Sequence, residues 1–264
     1  MMQYETIKVE YANRIATVTL NRPEKLNPLG IKTVEELSRF CDDVERGNEA
    51  RVIVITGAGR AFSAGMDADD MQQPVKINIA EHERMARIYD LLVLRLKGLD
   101  LPTIAAINGH AVGGGFALAL ACDIRVISQN AKVGAVMVLR GASAADMGLT
   151  WILPRLVGPA WAAELMFTGE IIDAAKGERL GLFNRVVPPD QVMPAALEIA
   201  AKLAAGPPLG IKFTKRALYR SVWDGLQGHL EYEATLQTLA TLSEDFQEGW
   251  KSFLEKRPPD FKGR

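Results

Sequence analysis

GAGRAFSAGMD at 57–67 and NGHAVGGGFALALACDIR at 108–125 decide the architecture of this chain. Each follows a short β-branched apolar run, VIVIT at 52–56 and TIAAI at 103–107, of the kind that forms a buried strand. The second stretch opens into an apolar helix from Phe116 to about Cys122. A strand that ends in glycines leaves backbone N–H groups unpaired and lets a ligand approach without meeting a Cβ. Two such turns can aim two amides at one oxygen, and the N-terminal end of a helix adds positive potential there. The pattern points to a site that stabilises negative charge on a carbonyl oxygen.

Outward from these turns, YETIKVE (4–10) and RIATVTL (14–20) alternate like hairpin strands joined around Ala12-Asn13. Ile31, Val34, Leu37, Cys41 and Val44 recur at helical spacing, which predicts an amphipathic helix over 31–46. A helix over roughly 78–97 separates the two strand–turn units, and a strand at about 123–128 follows the second. Strand–turn–helix units in series imply an α/β fold with parallel strands joined by crossover helices. From about 190 onward the pattern is helical, punctuated by Gly206-Pro207-Pro208. Leu226, Leu230, Leu236 and Leu239 on a helix around 224–242 need a partner surface, which the core or another chain would provide. The expected division is a core over 1–195 and a helical segment over 196–264.

The composition narrows the function. With 264 residues, 48% of them hydrophobic, the chain can bury a substantial core as one large or two small domains. A net charge of −1 with interspersed signs offers no electrostatic case for nucleic acid or a membrane surface as partner. Two cysteines, Cys41 and Cys122, are too few for a disulfide framework and read as buried thiols in a reducing compartment. The N-terminal residues lack a signal-peptide or transit pattern, and Asn108, His110 and four glycines break up the apolar run 104–122. A cytoplasmic location is expected. GAGRAF lacks the third glycine of a dinucleotide loop, and no Walker lysine follows either turn. His82, His110 and His229 show no metal-ligand spacing, so no metal is expected. His110 either lines the site or is incidental, and Ser63 has no histidine spaced to activate it.

VTLNRPEKLNPL (18–29), both glycine turns, the segment 147–187 and EDFQEGWKSFLEKRPPDFKGR (244–264) together resemble the crotonase superfamily, that is, the enoyl-CoA hydratase/isomerase family, nearly end to end. The resemblance implies a crotonase-like β/α spiral core with a C-terminal helical oligomerisation segment, packed as a homotrimer or a dimer of trimers. It implies an acyl-CoA thioester as substrate, with CoA part of that substrate and no separate cofactor. The family's oxyanion positions fall on the amides of Met66 and Gly114. Lys25 and Leu26 would lie along the CoA, with Ala64, Asp67 and Ala68 around its adenine. Phe253 and Lys256 match a C-terminal contact to the adenine end that a neighbouring subunit often supplies. The plainer reading of Lys25 and Lys256 is solvated surface.

The chain departs from the hydratase pattern at both acidic positions. The glutamate that would follow the glycine triplet is Ala117, and the second is Met137, or Val138 if the register slips. Adding water to an enoyl thioester requires groups that activate the water and protonate the α-carbon, and these side chains do neither. Asp146 in GASAADMG matches an aspartate of dienoyl-CoA isomerases, of ring-opening isomerases and of aryl-CoA dehalogenases, where it is a nucleophile. Its plainer role is to cap the following helix. The dehalogenase histidine position falls on Asp90, and Asp90, Glu81 and Glu83 are either reserve acid/base groups or a solvated helix face. The resulting expectation is an enolate-stabilising enzyme that isomerises a double bond with Asp146 as acid/base. Hydration, nucleophilic chemistry at Asp146 and non-catalytic CoA binding are the alternatives.

Overall fold

A computed structural model describes residues 4–47, 49–71 and 78–264 of the chain. Six strands form the larger sheet, in the order β1 (Ile7–Ala12), β2 (Ile15–Leu20), β3 (Val52–Gly57), β5 (Thr103–Ile107), β7 (Ile124–Ser128) and β10 (Arg185–Val187). All neighbours run parallel except the β1–β2 hairpin. A smaller sheet orders β4 (Ala61–Ser63), β6 (His110–Val112), β8 (Lys132–Gly134) and β9 (Ile172–Asp173), with only the last pair antiparallel. The helices are α1 (Ile31–Arg46), α2 (Ala68–Met71), α3 (Ile79–Gly98), α4 (Gly114–Ala121), α5 (Leu149–Val157), α6 (Pro159–Thr168), α7 (Ala174–Arg179), α8 (Val192–Ala205), α9 (Pro208–Arg220), α10 (Leu226–Thr241) and α11 (Glu244–Glu255).

The continuous apolar runs of β3 and β5 follow from burial on both faces. Ile53, Ile55, Ala105 and Ile107 point into the main core with α1, α3 and α4. Val52, Val54, Ile104 and Ala106 point the other way, onto Val192, Ala196, Ala200 and Ala204. This alanine row at i, i+4 lets α8 approach the sheet closely. The expected 195/196 division therefore falls inside a helix that packs on the sheet.

The hairpin differs from expectation by a slide along the chain. Its turn is Asn13-Arg14, both at positive φ (52° and 61°), so β1 begins at Ile7 and not at residue 4. Two positive-φ residues make the turn whose twist matches the flanking strands. Asn78 and Glu81 close a capping box that starts α3, next to the expected boundary. Cys41 and Cys122 are free and buried, and burial pushes both thiols up to about 12. Among the described residues no helix is long and apolar enough to cross a membrane, and no group of side chains could hold a metal ion.

The C-terminal helices bury little of their apolar surface. Trp223, Leu226, Leu242, Phe253 and Leu254 are each more than 70% exposed. Phe246, Trp250, Phe253 and Phe261 line a surface cavity of about 430 Å³ beside Pro207 and Gly210.

Candidate active site

The two glycine turns meet where β4 and β6 pair. Gly65 stands at φ +88°, and a Cβ built on it would lie 2.7 Å from the Val112 carbonyl oxygen and 3.3 Å from the Gly114 nitrogen. A side chain there would force the turns apart. Ser63 steadies the first turn by accepting the Gly65 amide at 3.2 Å, and the facing Gly115 has no room for a Cβ, which would sit 2.5 Å from the Ser63 carbonyl oxygen. Ser63 thus has a structural task.

Met66 bridges to Leu29 in parallel, through a bond from the Leu29 amide to the Gly65 carbonyl at 2.7 Å. Gly114 is the first residue of α4, where N–H groups have no partner within the helix. Neither the Met66 nor the Gly114 amide donates to another group among the described residues. Two main-chain donors on touching turns thus lack an acceptor among the described residues, at the positive end of a helix without charged side chains.

The segment around Lys25 is folded against the first turn. Leu26 and Asn27 are left-handed, at φ 63° and 53°. Buried Asn27 locks them by donating to the Ala58 and Ala61 carbonyls at 2.8 and 2.9 Å and accepting the Arg22 amide at 2.9 Å. The Ala64 amide then donates to the Leu26 carbonyl at 2.9 Å. Lys25 pairs with Asp69, whose hydrogen bond and charge raise the Lys25 pKa. Arg22 reaches Asp67 at 2.5 Å. Burial alone would raise Asp67, but the Arg22 bond, the Asp69 amide and the nearby cations outweigh it and hold the carboxyl below its usual range. Lys25, Leu26, Ala64, Asp67 and Ala68 therefore share one patch beside Met66. Phe253 near the end of α11 and Lys256 just after it are joined to that patch by no hydrogen bond or ion pair among the described residues.

Asp146 lies in a turn against α4. Met147 at φ 46° and Gly148 at φ 71° are both left-handed, and the Leu149 amide closes the turn on the Asp146 carbonyl at 3.0 Å. The Met147 sulfur stands 3.2 Å from where a Cβ on Gly114 would be, so the residue after Asp146 packs on the second glycine turn. The N-cap of α5 is Gly148, with no side-chain cap bond, so the capping role considered for Asp146 does not hold. Asp146 forms no ion pair among the described residues. Burial raises its pKa, the Asp90 carboxylate adds to this, and the Met147 amide partly opposes both. Ala117 is buried in the core and Met137 packs against it, so the positions of the missing glutamates hold apolar side chains.

Two residues of this region escape a reading of the sequence. Arg22 is the partner of Asp67, and Tyr89 is a buried residue of α3 whose hydroxyl donates to the Leu29 carbonyl at 3.2 Å. Burial, with Asp70, Asp146 and Asp67 nearby, pushes the Tyr89 phenol up to about 12. The signal the sequence carries for it is its helical spacing from Leu92, Val93 and Leu96, the other buried residues of α3. His110 is settled differently: its Nδ1 accepts the Lys132 amide at 3.0 Å, linking β6 to β8.

Comparison with known proteins identifies the family and the fold. Residues 10–264 match the family model of enoyl-CoA hydratase/isomerase. A probable enoyl-CoA hydratase of Mycobacterium tuberculosis is 38% identical over 257 residues, covering 94% of this chain and 89% of the other. The short-chain-enoyl-CoA hydratase of Clostridium acetobutylicum is 35% identical over 265 residues and the whole of both chains. A putative enoyl-CoA hydratase from Streptomyces coelicolor superposes with a TM-score of 0.96 at 33% identity, covering 100% of this chain and 96% of that one. A match that spans both sheets, the glycine turns and the C-terminal helices assigns the whole chain, and it belongs to the enoyl-CoA hydratase/isomerase family.

Proposed function

We propose that this chain isomerises a double bond in an acyl-CoA thioester, with Asp146 as the acid/base. The amides of Met66 and Gly114 hold the thioester oxygen as it becomes anionic, and losing one such donor costs about 3–4 kcal/mol in the transition state. Asp146 removes a proton from one carbon to give a dienolate, its carboxyl exchanges that proton with solvent, and it then delivers a proton two carbons along. No oxidant, metal or water is consumed. The observation that carries this reading is a half-buried carboxyl without a cationic partner among the described residues, one residue from the Met147 sulfur that packs on Gly114.

Lys25, Leu26, Ala64, Asp67 and Ala68 bind the CoA in this reading, and CoA enters only as part of the substrate. Phe253 and Lys256 reach it from a neighbouring subunit of a trimer or a dimer of trimers. The exposed apolar side chains of α10 and α11 support such an assembly.

Hydration is the second reading, supported by the names of the relatives. Proton exchange distinguishes the two. An isomerase incorporates deuterium from solvent into the α- or γ-position of an enoyl-CoA without losing the double bond, and Asp146→Asn abolishes this with little change in CoA affinity. Loss of the enoyl absorbance with incorporation of solvent oxygen would establish hydration instead. Solvent oxygen in Asp146 after one turnover would reveal nucleophilic chemistry, and binding without any of these would leave a CoA-binding protein.

A further inference from the structure

α3 carries a carboxylate that the reaction above does not use. Among the described residues of this helix, Arg87 pairs with Glu83 and Arg95 with Asp42, while Asp90 has no ion pair. Asp90 lies three residues before Val93, hence on the same side of the helix. The Val93 Cγ1 stands 3.4 Å from where a Cβ on Gly148 would be, so this side of α3 abuts the turn that presents Asp146. The adjoining Tyr89 is buried, with its hydroxyl on the Leu29 carbonyl, and the Leu29 Cδ1 stands 3.5 Å from the Cβ position of Gly114. The helix, the turn and the second glycine turn form one shell.

Among the described residues the surrounding charges leave this pair uncompensated. α4 carries no charged side chain, and the Arg155 guanidinium of α5 stacks over Trp151. Arg140 precedes the turn on an exposed stretch. Across the site, Arg22 and Lys25 are occupied by Asp67 and Asp69, and Asp70 accepts the Ile31 amide at 3.1 Å. Tyr89 adds a phenol that stays neutral over the ordinary pH range.

We propose that Asp90 is a positioning residue whose negative charge, held on α3 beside the 146–148 turn, makes Asp146 a better proton acceptor. A like charge nearby disfavours the ionised carboxylate, and a base that holds its proton more tightly abstracts one more readily. This inference rests on the reading of Asp146 as the acid/base. Asp90 is exposed, so its influence is screened and weakens as salt is added.

The test is the pH profile of kcat/KM for deuterium exchange in wild type, Asp90→Asn, Asp90→Glu and Asp146→Asn. In Asp90→Asn the acidic limb moves to lower pH and the plateau falls about two- to fivefold, as expected for a weaker base. Asp90→Glu keeps the limb near its wild-type place. Raising the salt concentration moves the wild-type limb toward that of Asp90→Asn. A lowered plateau with an unmoved limb means that Asp90 supports only the structure and overturns the proposal, as does a profile unchanged in both respects. Full exchange in Asp146→Asn refutes the reading of the site itself. Loss of exchange in Asp146→Asn with an unmoved limb in Asp90→Asn refutes only the role of Asp90.

Discussion

Asp123 and Asp146 are two partly buried aspartates with opposite surroundings. Asp123 accepts the Thr103 amide at 2.8 Å and hydroxyl at 3.0 Å, the Lys215 ammonium at 2.8 Å and the Tyr219 hydroxyl at 2.5 Å. This network fastens α9 to the ends of β5 and β7. Asp146 has no cation among the described residues and one carboxylate, Asp90, acting against its ionised form. A carboxylate with its acceptor sites filled holds parts together, because a proton could reach it only by displacing a donor and weakening the charge-assisted bonds that remain. A carboxylate left short of donors is available for a substrate proton, and the fold carries the cost of keeping it so.

The largest effect that follows is on activity. Asp146→Asn lowers proton exchange by about 10²–10⁴-fold, whereas variants of the Asp123 network act on stability. Comparable exchange rates in Asp146→Asn and wild type would erase the functional half of the contrast. Next in size, Lys215→Met leaves Asp123 without its cation and costs about 3 kcal/mol in urea unfolding, with exchange per folded molecule unchanged. A cost near zero would show that Thr103 and Tyr219 suffice.

A smaller effect concerns Lys97, which donates to the Tyr219 hydroxyl at 3.2 Å. Burial lowers its pKa from 10.5 to about 8, despite Asp123 nearby, and Arg125 and Lys215 contribute to the lowering. Its folded value lies below its unfolded one, so the unfolded chain binds the extra proton and stability rises with pH between about 8 and 10. After screening, the gain is on the order of 1–2 kcal/mol. Lys97→Met should flatten this rise in urea titrations, and an identical slope in both proteins would contradict it.

The smallest effect reverses the first. The folded pKa of Asp146 is raised, so the folded chain binds the extra proton and stability falls as pH rises through the carboxyl range. Asp146→Asn removes this penalty and raises Tm by roughly 1–2 °C at neutral pH. The gain vanishes below the ordinary aspartate value of 3.8, where both states are protonated. A variant less stable than wild type at pH 7 would place Asp146 with Asp123 among the structural carboxylates.

Much of the architecture was legible from residue patterns. The helix expected over 31–46 is α1, because its apolar stripe repeats at 3.6 residues, and 52–56 and 103–107 lie within or match strands buried on both faces. The smaller sheet was not legible. Its strands are two or three residues long, and β6 lies inside a stretch that reads as a turn. Strands so short have no period of their own and exist because neighbouring segments pair with them. The partner of Asp67 was equally hidden, since Arg22 comes from a segment far away in the chain, whereas Asp90 could be singled out but its nearness to Asp146 could not.

By itself the amino-acid sequence determined the family, the main parallel strands and the two glycine turns, because period, β-branching and glycine act through local sterics. Tertiary structure alone decided that Gly65 touches Gly114, that Asp146 caps no helix, and that Asp123 is bonded on every side while Asp146 is left beside a like charge. A carboxyl group takes its chemistry from burial and from neighbours supplied by other elements, and these exist only once the chain has folded.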